Sequence, residues 1–80
     1  MTDHAIDEAI LSLLTASNGR WKKVSMVIGR VAIAMGKDLP EGDDGYQIVA
    51  QRMEFLVSEG RLTAQGKIKN WRFGEVRRSN

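Results

Sequence analysis

The 80-residue chain contains no cysteine, a single histidine and a single proline. Disulfides and thiolate metal sites are therefore excluded, and one imidazole is too few to build a zinc centre. No apolar run approaches the length needed to span a bilayer. The opening "MTDHAIDEAI" is acidic where a secretory signal would be basic. Together these features predict a soluble domain of the reducing cytoplasm.

Recognisable catalytic and cofactor patterns are also missing. A chain of this length leaves little room for a pocket with converging groups, which predicts a non-enzymatic protein. The stretch "GKIKN" is too short for a phosphate-binding loop and lacks its Gly-Lys-Ser/Thr ending. Asp38, Glu41, Asp43 and Asp44 do not have the spacing of a calcium loop and read as a solvated connection that caps a helix. His4 reads as a solvated residue near the terminus. No metal and no cofactor is expected.

What remains is an ordinary globular composition, 42% hydrophobic and 28% charged, expected to form one domain over residues 1–80 with frayed ends at 1–3 and 79–80. The net charge of +2 conceals a strong polarity. Residues 1–60 carry six basic groups against nine acidic ones, whereas residues 61–80 carry six basic groups against Glu75 alone. That asymmetry is the main functional signal in the composition.

Three segments have helical periodicity. Ile6, Ile10, Leu13, Leu14 and Ser17 form one stripe, with Thr2 or Asp3 as a cap and Asn18-Gly19 as the stop. Val24, Val27, Ile28, Val31, Ala32 and Met35 form a second, with Trp21 at or just before its first turn and Gly36 at its end. "KDLPEGDDG", which holds the only proline, reads as a loop. Tyr46, Val49, Ala50, Met53, Leu56 and Val57 form the third stripe, capped by Asp43 or Asp44 and closed at Gly60. Beyond Gly60 the period changes to two. Leu62 and Ala64, then Trp71 and Phe73, predict a hairpin turning around "GKIKN", with a bulge at Gly74 before Val76.

Three glycine-closed helices followed by a two-stranded antiparallel hairpin make an α+β chain that resembles a winged-helix domain. The resemblance is most specific in "RMEFLVSEGRLTAQG", where Met53, Leu56, Gly60 and Leu62 fill the pattern of the third helix and first wing strand. "RWKKVSMVIGRV" and "RLTAQGKIKNWRFGEVR" are also similar to the short C-terminal winged-helix-like domain of an uncharacterised bacterial domain-of-unknown-function family. That similarity implies the fold and no activity. Its motif residues, Trp21, Val24, Gly60, Gly66 and Glu75-Val76-Arg77, read as structural.

Two functional readings follow. The winged-helix resemblance implies DNA contact through the third helix and the wing. Lys67, Lys69 and Arg72 on the wing suit phosphate neutralisation, and Gln47, Gln51 and Arg52 are side-chain types that read base edges. The acidic approach to the third helix, with Asp43, Asp44, Glu54 and Glu59, opposes a reading role for that helix and favours contact by the wing alone. The alternative is a protein-interaction or dimerisation module built on Ile48 and Phe55, seven residues apart and off the core stripe. Trp71 fits either the core beneath the hairpin or a wing-tip aromatic.

Overall fold

The computed structural model describes residues 3–66 and 74–79. In chain order the elements are α1 (Asp3–Ala16), β1 (Lys22–Lys23), α2 (Val24–Met35), a single 3₁₀ turn at Gly36–Asp38, α3 (Asp43–Ser58), β2 (Leu62–Gln65) and β3 (Glu75–Arg78). The fold is α+β, and its strands form one antiparallel sheet in the order β1-β3-β2.

Each helix buries one stripe, because an aliphatic face gains most by leaving water. From α1 come Ile6, Ile10, Leu11 and Leu14; from α2, Val24, Val27, Ile28 and Val31; from α3, Val49, Ala50, Met53 and Leu56. Leu62 of β2 and Val76 of β3 close the core from the sheet side, and Leu39 plugs it between α2 and α3. The α1 stripe is rotated from the predicted one. Leu11 and Asp7 are buried, while Leu13 and Ser17 are only half-buried. The buried face carries Asp7 toward α3, where a cation receives it.

The sheet departs most from expectation. It has three strands, not two, because Lys22 and Lys23 pair with β3 through Lys22↔Val76 and Lys23↔Glu75. The Val24 N–H then donates to the Gly74 carbonyl at 2.9 Å, so α2 starts directly from the ladder. This pairing covers an edge of β3 that a two-stranded hairpin would leave open, and lysines suit an exposed edge strand. On the other side, Leu62–Gln65 pairs with Arg78 back to Glu75. The strand opposite β2 is therefore Glu75–Arg78, and Gly74 lies just ahead of it. Trp71, Phe73 and most of "GKIKN" lie outside the described residues.

The third helix also begins differently. Its N-cap is Gly42, with no side-chain cap, and Asp43 and Asp44 occupy its first turn. Their charge faces the positive end of the helix dipole without either side chain taking the cap position. Tyr46, expected in the core, is 36% exposed. Gly45 is buried where the chain doubles back, and a Cβ there would collide with the Pro40 carbonyl. At the other end Gly60 adopts φ +79°. Its N–H donates to the Val57 carbonyl and the Arg61 N–H to that of Leu56, each at 3.0 Å. This is the paired capping pattern that turns a helix into a following strand.

Replacing Leu56, which is fully buried, by alanine is expected to lower unfolding free energy by about 2–5 kcal/mol in urea titration. Unchanged stability would show that the α3 core stripe is misplaced. The two helical glycines are expected to separate. Gly45→Ala should destabilise by about 1–3 kcal/mol through the Pro40 clash. Gly29→Ala, with open space around its Cβ, should stabilise α2 by about 0.5–1 kcal/mol.

Candidate nucleic-acid interface

Two surfaces carry the residues singled out from the sequence, and their electrostatics differ. The first is the outer face of α3. Gln47 and Gln51 are exposed there, as a base-reading role would require. Arg52 is not free. Its Nε donates to Asp7 Oδ1 at 2.9 Å and its Nη2 to Asp7 Oδ2 at 2.7 Å, with Nη1 3.5 Å from Asp3 Oδ2. The hydrogen bonds to Asp7 hold the guanidinium pKa above its ordinary value against the opposing effect of desolvation, and the charges of Asp7 and Asp3 add to the rise.

The same guanidinium lies over the Phe55 ring, 4.4 Å from its centre. A planar fork matched to a carboxylate and stacked on an aromatic ring has little left to offer a guanine edge. Asp43, Asp44 and Glu54 are exposed along the same helix, so its surface repels phosphate. The two apolar residues proposed as a second face are in different surroundings. Ile48 is half-buried and packs against the core, whereas Phe55 is 43% exposed beneath Arg52.

The second surface is the sheet. Pairing β1 with β3 sets Lys22 opposite Val76 and Lys23 opposite Glu75, the one carboxylate among the three strands, while Arg77 and Arg78 lie opposite Thr63 and Leu62 of β2. Glu75 accepts a hydrogen bond from Gln65 Nε2 at 2.7 Å. The Arg77 guanidinium lies 4.6 Å from the centre of the half-buried Trp21 ring, which holds it flat on the sheet by a cation–π contact. Arg78 hydrogen-bonds to Thr15 Oγ1 at the end of α1. Ser79 continues the closure, donating its N–H to the Arg61 carbonyl at 3.1 Å and sharing a 2.7 Å hydroxyl bond with Thr63.

Lys67, Lys69 and Arg72 belong to the connection from β2 to β3 and lie outside the described residues. Sequence reading singled out those three and did not single out Lys22, Lys23 or Arg77. A two-residue strand leaves no periodicity to detect, so nothing along the chain signals that "KK" will pair with β3. Among the described residues no three His, Cys, Asp or Glu are placed to hold a metal ion, and no helix is long and apolar enough to cross a membrane. Comparison with known proteins finds no matching family model, no matching curated protein and no matching solved structure.

The Asp7–Arg52 link is expected to show coupling in a double-mutant cycle. Asp7→Ala and Arg52→Ala should each lower the melting temperature, and the double variant should fall short of their sum, because either change alone orphans its partner. Strict additivity would mean that the two side chains stabilise the fold independently. Arg52→Lys should behave like the alanine variant rather than the wild type, since an ammonium cannot reproduce the two parallel bonds.

Proposed function

We propose that the chain is a non-catalytic winged-helix module that acts in the cytoplasm and contacts nucleic acid through phosphates, using its sheet and wing rather than a reading helix. The observation that carries this reading is the excess of cations on the three strands, Lys22, Lys23, Arg77 and Arg78 against Glu75 alone, which lies opposite Lys23. The sequence between β2 and β3 adds Lys67, Lys69 and Arg72. Cations in excess over carboxylates attract a polyanion by releasing its condensed counterions, whatever its base sequence. The winged-helix assignment is supported by the order of elements and by the placement of the wing connection between two strands of the sheet.

A second reading, docking of a protein partner or a second copy, is favoured by the exposure of Ile33 at 83% and Phe55 at 43%. The readings separate in an amide NMR titration with a mixed-sequence duplex. Nucleic-acid contact is expected to move resonances of residues 22–23 and 66–78. Raising salt from ~0.05 to ~0.2 M should weaken binding roughly a hundredfold for about four phosphate contacts. Combined Lys67→Glu and Lys69→Glu should abolish the shifts while leaving the fold intact. A silent spectrum at low salt would remove the nucleic-acid reading. Loss of self-association on Phe55→Glu in an otherwise folded protein would then support the docking one.

A further inference from the structure

Away from the wing, a cavity of about 420 Å³ opens between the end of α1, β1 and α2. Arg20, Lys22 and Arg30, which come from three successive parts of the chain, line it together with Ser17 and Asn18, and Leu13, Ala16 and Met26 supply its apolar lining. No carboxylate lines it. None of the three cations forms an ion pair among the described residues, and the undescribed ones include no Asp or Glu. Converging like charges repel, so an unneutralised trio around a concavity calls for an anion from outside the chain.

The closing turn of α1 does not consume these cations. Most of its carbonyls are already engaged, that of Ala16 excepted: Leu11 by Thr15 Oγ1, Leu13 by Ser17 Oγ, Leu14 by the Ser17 N–H, Thr15 by the Asn18 N–H and Ser17 by the Arg20 N–H. A helix C-terminus whose carbonyls are satisfied by main chain and hydroxyls has little need of guanidinium donors. The volume lies within the range of small-molecule sites. Leu13 and Met26 remain half-buried, and a thioether beside aliphatic carbon suits a flat aromatic ring.

We propose that this cavity binds a phosphate monoester of nucleotide size. Arg20, Lys22 and Arg30 hold the phosphate, and the base rests against Leu13 and Met26. The two arginines offer paired N–H donors that match phosphate oxygens, and Lys22 adds a point charge. The site goes beyond the duplex contact assigned to the sheet and wing, although Lys22 borders both. A phosphate of this kind could come from a free nucleotide or from the 5′ end of a strand.

The test is calorimetric titration of the full chain with adenosine 5′-monophosphate, with adenosine as control, accompanied by amide NMR. Saturable binding of the nucleotide with shifts centred on residues 13–30 is the expected result. Arg20→Gln and Arg30→Gln should each weaken it about tenfold or more, the usual cost of a charge-assisted hydrogen bond. The Lys67→Glu, Lys69→Glu protein should bind the nucleotide as the wild type does even if duplex binding is gone, which separates this site from the wing. Competition by a 5′-phosphorylated hexanucleotide, but not by its unphosphorylated twin, would assign the phosphate to a strand end. Competition by neither would assign it to the free nucleotide. Equal affinity for adenosine, no binding at millimolar nucleotide, or no loss in either arginine variant while circular dichroism shows a native fold would overturn the proposal.

Discussion

The bidentate bond between Asp7 and Arg52 ties the first helix to the third and fixes what each can do. Asp7 is the one buried charged residue of the described chain, and a buried carboxylate is tolerable only when its oxygens are occupied. Arg52 occupies both. With the pair formed, α1 turns inward the face that carries Asp7 and Leu11, and Leu13 packs half-buried against the core. The same bond engages the guanidinium of α3. One interaction thus links the orientation of the first helix to the charge that the third presents.

The basic side chains of the sheet are brought together by strand order. Along the chain the basic residues look concentrated in the last quarter, but β1 brings Lys22 and Lys23 from the first third into register with Val76 and Glu75. Acidic side chains gather at the start of α1 and around the start of α3. The result is a sheet with Glu75 as its one carboxylate beside helices whose starts are acidic.

Much of the architecture was legible because helical stripes of this regularity allow few alternatives. Val24, Val27, Ile28 and Val31, and Val49, Met53 and Leu56, are buried as their spacing predicts, and Gly60 and Leu62 close α3 onto β2 as their motif implies. The missed features are non-local. Nothing next to Asp7 in sequence announces Arg52, and nothing next to Lys22 announces β3. Alternation points to a strand at Trp71 and Phe73, which lie outside the described residues, and the described ladder sets Val76 opposite Ala64. Among the site residues, Gln47 and Gln51 could be placed on an exposed face from periodicity alone. The fate of Arg52 depended on a partner in another helix.

The position of β3 at the centre of the sheet bears on how the chain acquires its structure during synthesis. The three helices can collapse on one another as soon as residue 58 has emerged, since their stripes are complementary without the sheet. Both flanking strands must wait for residues 75–78, and β1 waits through the production of almost the whole chain. Pairing across such a separation costs loop entropy before it yields any contact, which makes strand closure the late and slow event. A nascent chain halted just short of Glu75 would hold a helical core open on its Val76 side, with Leu62 uncovered and two lysines unpaired. Such an intermediate is vulnerable to proteases and to association with other exposed strands.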